Sequence, residues 1–366
     1  MRLLQLRLHQ FRTYRQLTLM PPGGVTVFVG ENGAGKTNLL EAIHLCCLGK
    51  SHRTSADRDM IRLGSRTCAV HARVQRTDAV DEVGVRLFSQ QGERKLIYVN
   101  GKIVQRIGEL MGHMTCVMFS PEDLELVKGA PQTRRGFLDM LLSQSQAAYF
   151  YAIQTYGAIL RHRNALLKEI ARGRGDAGTL DVWDEQLARA CAPIVRLRRD
   201  ASEAIAHTAK QHYAFISGRE SEAFSLRYQG TLAESLDPEA DLLQQLADAR
   251  QDDLRRLSTG PGPHRDDLRL SIQGQEMRAF ASQGQARTAA LAMRLAQIDV
   301  LTQAHGEAPL LLLDDVLSEL DERRRGRLLI MLDRKQTLMT CTDLAGLKDV
   351  SPACVLTVRE DMVSDA

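Results

Sequence analysis

The segment Gly30–Thr37 reads GENGAGKT and carries the phosphate-binding pattern G-x-x-x-x-G-K-[ST] at every required position. Glycines let such a loop curl until its backbone N–H groups point at an anion. Lys36 adds a positive charge for the β- and γ-phosphates of a nucleotide, and Thr37 offers a hydroxyl to Mg²⁺. We therefore expect nucleotide contacts from every residue of the loop, namely Gly30, Glu31, Asn32, Gly33, Ala34, Gly35, Lys36 and Thr37.

The residues on both sides of the loop support this interpretation. Val25–Val29 (VTVFV) is typical of a buried strand, and Asn38–Ile43 (NLLEAI) has the apolar spacing of a helix. A strand, a glycine-rich loop and a helix in this order point the positive end of the helix at the phosphates. The context therefore favours a nucleotide-binding loop over a chance match to the pattern.

A second part of the site is predicted near the end of the chain. Leu310–Leu313 is a run of four leucines, which suits a central strand of a parallel sheet with both faces covered. Two carboxylates follow this run, and ligands bind at the carboxyl ends of such strands. We expect Asp314 to bind Mg²⁺ and Asp315 to act as the general base that orients the attacking water. Taken alone, the two acids could instead cap the next helix.

A third motif precedes a long predicted helix. Residues 282–285 (SQGQ) are similar to the S-G-G-Q signature of ABC-type ATPases. In that class a serine hydroxyl, a glycine amide and the helix N-terminus contact the γ-phosphate bound to the opposite subunit. The similarity implies ATP contacts from Ser282, Gly284 and Gln285 across a homodimer, although SQGQ alone also fits an ordinary helix N-cap.

The order and spacing of the motifs narrow the class. Ser318–Asp321 (SELD) resembles the D-loop, which crosses the dimer interface in ABC-type ATPases. The insertion between Thr37 and Ser282 is longer than in transporter subunits, and it lacks the sustained heptads of the long-arm chromosome-maintenance ATPases. We expect an α/β fold, an ABC-type ATPase head with mixed sheets around the phosphate loop, a mostly helical second lobe and no long coiled coil.

Secondary-structure signals divide the chain into two lobes. Strand patterns fill most of the first third, helical patterns begin after Ser120, and a Gly/Pro-rich joint at residues 259–264 ends the helical block. We therefore predict an ATPase lobe built from residues 1–119 and 259–366 and a helical lobe built from residues 120–258. The signature is expected close to the boundary between these lobes.

Composition limits the possible classes of protein but does not identify a binding partner. The 366-residue chain has a formal net charge of +3, which leaves room for basic patches but does not establish nucleic-acid binding. Its seven cysteines form no C-x-x-C pair, which predicts reduced thiols in a cytoplasmic protein. The longest apolar run, near Leu310–Leu313, is too short to cross a membrane, so no membrane partner is expected. Aromatic residues make up 5%, which argues against DNA contacts dominated by base stacking.

Further motifs make the chain similar to the RecF family of bacterial recombination mediators. The resemblance spans the whole chain and includes Leu6–Tyr14 (LRLHQFRTY), Gly30–Ile43 (GENGAGKTNLLEAI), Val99–Gly101 (VNG), Phe119–Leu124 (FSPEDL), Val127–Gly129 (VKG), Arg134-Arg135 with Phe137–Asp139 (FLD), Gly262–Asp267 (GPHRDD), Ser282–Arg287 (SQGQAR), Leu313–Val316 (LDDV), Ser318–Asp321 (SELD) and Thr340–Asp343 (TCTD). The segments Phe119–Gly129 and Gly262–Asp267 distinguish this family from other ABC-type ATPases.

The resemblance implies a function in DNA replication and repair. It implies ATP and Mg²⁺ as cofactors, and an ATP-dependent homodimer on DNA gaps, where single and double strands meet. It also implies cooperation with RecO and RecR in loading recombinase, support for the SOS response to DNA damage, and weak DNA-stimulated ATPase activity in the cytoplasm.

Two departures from the wider ABC pattern favour slow hydrolysis. Asp315 stands where many members carry glutamate, and its shorter side chain holds the attacking water less closely. Thr340–Asp343 occupies the switch region in which transporters usually place a histidine. Thr342 can hydrogen-bond the γ-phosphate there but cannot donate as an imidazolium. Both features suit a switch that holds ATP and releases it slowly.

Basic residues on predicted helices are the candidates for DNA contact. Arg134 and Arg135 are adjacent, and Arg161 and Arg163 are close together on a second helix. Guanidinium groups bind DNA phosphates without reading the base sequence. The alternative is that each cluster is an ordinary solvated helix face.

Two other functions share the nucleotide motifs. The main alternative is the ATP-binding subunit of an ABC transporter, and the helical insertion, the missing switch histidine and the FSPEDLELVKG segment (residues 119–129) argue against it. An ATPase-nuclease of the overcoming-lysogenisation type would require an acidic nuclease domain after the ATPase, and the sequence leaves no room for one after Asp315.

Overall fold

The computed structural model describes residues 1–90, 92–219, 221–344, 351–360 and 362–365. Contacts divide the chain into two compact units. The first consists of Met1–Asp123, His212–Glu220 and Ala290–Ala366, and the second of Leu124–Gln211 and Ser221–Ala289. No helix within the described ranges is both long enough and apolar enough to cross a lipid bilayer.

An antiparallel sheet of six strands forms much of the amino-terminal part of the first unit. Its strands are β1 (Arg2–Phe11), β2 (Tyr14–Leu19), β4 (Thr67–Gln75), β5 (Val80–Phe88), β6 (Leu96–Val99) and β7 (Lys102–Val104). They lie in the order β2-β1-β4-β5-β6-β7. Buried and exposed residues alternate along β4 and β5, so one face packs into the core and the other meets solvent.

A second sheet of six strands carries the phosphate loop. Its strands are β3 (Val25–Val29), β8 (Cys116–Phe119), β12 (Leu310–Asp314), β13 (Thr337–Cys341), β14 (Cys354–Arg359) and β15 (Met362–Asp365). The order is β15-β14-β3-β13-β12-β8, and all neighbours are parallel except the edge pair β14 and β15. The leucines of β12 are fully buried, as expected for a central parallel strand.

Helix α1 (Lys36–Leu48) follows the phosphate loop and contacts both sheets of the first unit. It touches β4 and β5 of the antiparallel sheet and β12 and β13 of the parallel sheet. Because α1 is covered on both sides, it is buried along almost its whole length, and most of the residues after its first turn are apolar. Helix α9 (Glu322–Leu332) links β12 to β13, which supplies the crossover that two parallel strands require.

The second unit is mostly helical. Its helices are α2 (Glu125–Lys128), α3 (Pro131–Ser145), α4 (Ala147–Ala171), α6 (Pro238–Arg256) and α7 (Met277–Phe280), together with parts of α5 (Leu180–Ser217) and α8 (Gln283–His305). A core of buried apolar side chains, among them Tyr149, Tyr156, Leu187, Ile194 and Leu242, joins α4, α5 and α6. The amphipathic pattern of these helices is thus satisfied by packing one helix on another.

A small antiparallel sheet completes the second unit. Its order is β11-β10-β9, with β9 at Phe224–Gln229, β10 at Asp267–Ile272 and β11 at Gln275–Glu276. Strand β9 lies inside the block predicted to be helical, although its alternating buried and exposed residues are a strand pattern. Pairing of β9 with β10 explains why residues 259–289 group with this unit, whereas the sequence-based division places them in the ATPase lobe.

The α/β fold class agrees with the prediction. The first unit holds the phosphate loop together with one antiparallel and one mixed sheet, and helices dominate the second. The longest helix in the described part of the chain, α5, packs its apolar face into the core of the second unit, and it does not project as an arm.

Candidate nucleotide-binding site

The strand order of the parallel sheet assembles the candidate site. Strands β3, β13 and β12 are neighbours and run in the same direction, so their carboxyl ends meet at one edge. The loop Gly30–Thr37 follows β3, Asp314 ends β12, and Cys341 ends β13. The two motifs predicted from distant parts of the chain therefore lie together at the sheet edge where such folds bind ligands.

Two glycines shape the phosphate loop. Gly33 and Gly35 adopt φ angles of 84° and 101°, a left-handed region that side chains other than glycine rarely enter. A Cβ atom at Gly35 would lie 2.9 Å from the Thr13 hydroxyl, so this position is also closed to larger residues by packing. The Tyr14 hydroxyl donates a hydrogen bond to the Gly35 carbonyl at 3.1 Å and fixes the loop from the antiparallel sheet.

Lys36 is held inside the loop. Its ammonium group donates hydrogen bonds to the carbonyls of Gly30 at 2.6 Å and Glu31 at 2.8 Å. Only 7% of Lys36 is exposed, so its positive charge lies inside the phosphate loop. A positive charge in this position serves the β- and γ-phosphates of a bound nucleotide.

Asp314 is the point on which two hydroxyl groups converge. The Thr37 hydroxyl donates to Asp314 Oδ1 at 2.9 Å, and the Thr340 hydroxyl donates to the same oxygen at 2.8 Å. Thr340 lies opposite Asp314 in the β12–β13 register, so the parallel pairing itself sets this contact. In the sequence Thr340 is only the first residue of the segment Thr340–Asp343, and no local pattern assigns it this contact.

The oxygen groups at this point fit Mg²⁺. A hydroxyl from Thr37 and a carboxylate from Asp314 are hard oxygen ligands of the kind that this ion prefers. The described residues contain no group of three or more His, Cys, Asp or Glu side chains placed to hold a metal. Protein sites for Mg²⁺ commonly use one or two such oxygens together with phosphates and water. When bound, the ion would neutralise phosphate charge.

Asp315 and Thr342 line one cavity beside Asp314. The cavity has a volume of about 200 Å³ and is lined by Asp315, Leu317, Ser318, Thr340, Cys341, Thr342 and Asp343. Asp315 adopts a φ of 51°, and its backbone N–H donates to the Thr340 hydroxyl at 3.0 Å. The Ser318 hydroxyl donates to the Asp315 carbonyl at 2.7 Å. The cavity thus brings together the candidate base Asp315, the candidate switch residue Thr342, and Ser318 from the segment similar to the D-loop.

The signature segment begins helix α8 in the second unit. The Gln285 N–H donates to the Ser282 hydroxyl at 3.2 Å, and the Ser282 N–H donates to Gln285 Oε1 at 3.0 Å. This reciprocal pair is a capping box, so the two side chains satisfy the helix end. Ser282 is exposed and Gly284 is half-buried. The segment has the geometry of an ordinary N-cap, and its contact with a nucleotide stays a prediction.

A lysine missed by the sequence analysis anchors the signature. Lys128, from the segment that distinguishes the family, donates hydrogen bonds to the carbonyls of Ala281 at 2.6 Å, Met277 at 3.2 Å and Arg278 at 3.4 Å. These carbonyls belong to α7 and to the residue immediately before Ser282. A cation at the C-terminal end of a short helix satisfies its last carbonyls. Lys128 therefore fixes the residues that lead into the signature.

A buried ion pair supports α1 behind the phosphate loop. Arg12 donates to both oxygens of Glu41, at 2.8 and 2.6 Å, and the Glu41 carboxylate is fully buried. Burial raises the pKa of Glu41, but hydrogen bonds from Arg12 and Ser51 outweigh it and leave the pKa below its ordinary value. In the sequence, a glutamate among the apolar residues of α1 indicates that a cationic partner lies nearby.

The structure contradicts the predicted DNA contact for two of the four candidate arginines. Arg134 is 4% exposed and forms a two-pronged ion pair with Asp267 at 2.6 and 2.8 Å. Arg163 is completely buried and pairs with Asp184 at 2.5 Å and Asp253 at 2.6 Å. Neither guanidinium presents a surface to a DNA phosphate, because both are committed to carboxylates inside the second unit.

The other two arginines remain candidates. Arg161 is exposed on α4, two residues before the buried Arg163 and therefore on nearly the opposite side of the helix. Arg135 is half-buried and donates to the Asp266 carbonyl at 2.7 Å, while burial and the nearby Arg198 lower its pKa. Helix periodicity separates neighbouring arginines into buried and exposed positions, which adjacency in the sequence does not reveal.

Comparison with known proteins identifies the family of the chain. The family described as RecF/RecN/SMC N terminal domain matches residues 2–363. A protein named DNA replication and repair protein RecF from Alkaliphilus oremlandii is 38% identical over 353 residues, which cover 95% of each chain. A protein of the same name from Symbiobacterium thermophilum is 40% identical and covers 93% of this chain and 92% of its own.

Solved structures share the fold of this chain. The structure described as the recombination mediator protein RecF-ATP in the RecFOR pathway superposes with a TM-score of 0.92 at 33% identity, covering 100% of this chain and 97% of that one. The Smc head domain from Pyrococcus furiosus gives a TM-score of 0.57 at 16% identity, which shows the shared fold alone. The matched family model and the sequence identities, which extend over most of the chain, show that the chain belongs to the RecF family.

Proposed function

We propose that this protein is an ATP-dependent DNA-binding switch of replication and recombinational repair. The observation that carries the proposal is the convergence of the Thr37 and Thr340 hydroxyls on Asp314 beside the Lys36 ammonium. This arrangement provides a phosphate loop, a place for Mg²⁺ and, in Asp315, a candidate base at one edge of a sheet. Its relatives carry the name DNA replication and repair protein RecF.

ATP would act in this proposal as a clamp between two copies of the chain. Ser282, which is exposed, and the half-buried Gly284 and Gln285 lie at the start of α8, where backbone N–H groups and the helix N-terminus favour an anion. A second copy would then cover the γ-phosphate with its signature. Binding of this kind couples nucleotide occupancy to dimerisation, so hydrolysis and release would open the dimer.

Slow turnover is part of the proposal. Asp315 is shorter than the glutamate found in many ABC-type ATPases, and Thr342 replaces the switch histidine beside the same cavity. Weak catalysis prolongs the ATP-bound dimer, which suits a protein that marks a DNA structure. The proposed DNA target is a gap with single-strand and double-strand parts, and DNA is proposed to stimulate hydrolysis.

RecO and RecR are the proposed protein partners. One similar solved structure is described as belonging to the RecFOR pathway. We infer that the DNA-bound dimer helps these two proteins load recombinase in the bacterial cytoplasm and so supports the SOS response. The transporter alternative is set aside because the chain belongs to the RecF family.

Fluorescence anisotropy on a labelled gapped duplex tests the proposal, with protein and salt titrated in the presence and absence of ATP and Mg²⁺. We expect binding that requires ATP, rises steeply with protein concentration because dimers form, and weakens with salt. A Lys36→Ala variant serves as the matched control and should behave as the wild type does without ATP. Absence of DNA binding by the wild type in both states would refute the proposal.

A further inference from the structure

The outer face of the antiparallel sheet carries an exposed group of basic and aromatic side chains. Arg7 and His9 of β1, His71 of β4 and Arg86 of β5 are exposed, and Tyr98 of β6 is half-exposed. The alternate residues of the same strands, such as Leu8 and Val70, are buried in the core. Strand alternation therefore gathers these side chains on one surface outside the nucleotide site.

Cross-strand register arranges the group in two rows. In one row Arg7 lies opposite His71, His71 opposite Gly84, and Gly84 opposite Tyr98. In the other row His9 lies opposite Ala69, and Ala69 opposite Arg86. The small residues at the centre leave a trough with a volume of about 310 Å³, lined by His9, Thr67, Ala69, His71, Arg86 and Tyr98.

Gly84 sets the shape of the trough. A Cβ atom at this position would lie 2.6 Å from Nδ1 of His71, so only glycine lets the imidazole lie against the sheet. The ring centroids of His71 and Tyr98 are 6.4 Å apart, and their planes are tilted by 36°. Two rings thus lie side by side next to Gly84, that of His71 exposed and that of Tyr98 half-exposed.

The charge of this surface is positive. Within the described part of the chain, no carboxylate forms an ion pair with Arg7 or Arg86, and Arg86 lies over the Phe88 ring at 5.5 Å. Arg73 is accompanied by Glu82 at 3.7 Å. Arginines without an acidic partner are available to an anionic ligand such as the phosphate backbone of a nucleic acid.

We propose that this outer face, with Arg86 lining the trough and Arg7 opposite His71 at its side, binds the single-stranded part of gapped DNA. The inference rests on the proposed DNA-binding function and names the surface that would serve it. The arginines bind phosphates, and the His71 and Tyr98 rings stack on unpaired bases. Bases inside a duplex are already stacked on one another, so the rings favour a single strand. With only a few rings present, the arginines provide most of the affinity.

Charge reversal at the two arginines without partners tests the inference. The variant R7E/R86E is compared with R255E/R256E, which makes the same charge change at exposed positions on α6. Affinity for a labelled thymidylate oligonucleotide and for a matched duplex is measured by anisotropy with ATP and Mg²⁺, and binding of a fluorescent ATP analogue is measured in parallel. Arg7 and Arg86 are both exposed, so folding should be preserved.

We expect R7E/R86E to bind the oligonucleotide about tenfold more weakly or worse, with ATP binding unchanged, while the control binds as the wild type does. The slope of log affinity against log salt should fall by about 1.4, since each phosphate contact on a single strand contributes about 0.7. An iodouracil-substituted oligonucleotide should cross-link to Tyr98, and Tyr98→Ala should remove the cross-link.

Three results would overturn the inference or its basis, and they are distinguishable. If R7E/R86E binds the oligonucleotide with wild-type affinity, this surface is not the binding site, and the proposed DNA function is unaffected. An equal loss for the duplex and the oligonucleotide would show a surface that binds phosphates of either kind of DNA and would overturn the preference for a single strand. No DNA binding by the wild type would refute the proposed function itself.

Discussion

The hydroxyl of Thr37 and the carboxylate of Asp314 lie 2.9 Å apart, although 277 positions separate them in the chain. Thr37 stands at the start of α1 and Asp314 at the end of β12, and the neighbouring strands β3, β13 and β12 hold both at one sheet edge. Thr340 of the middle strand donates to the same carboxylate oxygen. This contact joins the two halves of the candidate nucleotide site.

The Asp314→Asn substitution tests whether this contact is a magnesium site. The amide oxygen still accepts from Thr37 and Thr340, so the fold should persist, but the negative charge that favours Mg²⁺ is lost. We expect Mg²⁺-dependent ATP hydrolysis to fall by about 100-fold. A magnesium titration of ATP binding and turnover measures the effect, with Asp333→Asn, an exposed carboxylate, as the control. An unaltered magnesium dependence would contradict the assignment.

The Asp315→Asn substitution tests the candidate base. Asparagine tolerates the φ of 51° at this position, so the backbone should not change. We expect ATP binding to be retained and single-turnover hydrolysis to fall by about 100-fold, because an amide cannot accept a proton from the attacking water. Asp343→Asn, which alters a second carboxylate of the same cavity, is the matched comparison. Normal turnover in Asp315→Asn would place the base elsewhere.

The Ser282→Arg substitution tests the signature. Ser282 is exposed at the start of α8, so a larger side chain should leave the fold and ATP binding by the monomer nearly unchanged. We expect nucleotide-driven dimerisation to be lost, because the long side chain blocks the close approach of a second subunit. Sedimentation velocity with and without ATP measures the dimer. Ser225→Arg, at an exposed position on β9, is the control, and ATP-dependent dimers of Ser282→Arg would show that the signature assignment is wrong.

The Lys128→Met substitution tests how the signature is positioned. Loss of the charged hydrogen bonds to Met277, Arg278 and Ala281 should lower the free energy of unfolding by about 1–2 kcal/mol. We also expect weaker ATP-driven dimerisation at unchanged ATP affinity, because the residues before Ser282 lose their anchor. Urea unfolding and sedimentation measure the two effects. Lys168→Met, an exposed lysine on α4, is the control, and a loss of stability without any effect on the dimer would assign Lys128 a purely structural role.

The Arg163→Met substitution tests whether Arg163 stabilises the fold and is not a DNA contact. Removal of this buried guanidinium leaves Asp184 and Asp253 without their partner, and we expect the free energy of unfolding to fall by about 3–5 kcal/mol. Arg161→Met, at an exposed position on the same helix, should change stability by less than about 0.5 kcal/mol. Urea unfolding compares the two variants. Equal stabilities would mean that Arg163 is not a structural residue.

Local sequence signals determined the phosphate loop and the acidic strand. A strand, a glycine-rich loop and a helix are encoded by neighbouring residues, so Gly30–Thr37 could be assigned without the fold. The four leucines before Asp314 encode a strand covered on both faces for the same reason. These features depend on backbone conformation and apolar periodicity, which short segments carry by themselves.

Only the tertiary structure decided which side chains meet. Thr340 contacts Asp314 because β13 lies between β3 and β12, and no local pattern encodes that strand order. Arg163 is buried and Arg161 exposed because α4 packs one face on its neighbours, although the two arginines look alike in the sequence. Local conformation follows from nearby residues, whereas burial and contact follow from the packing of distant elements against one another.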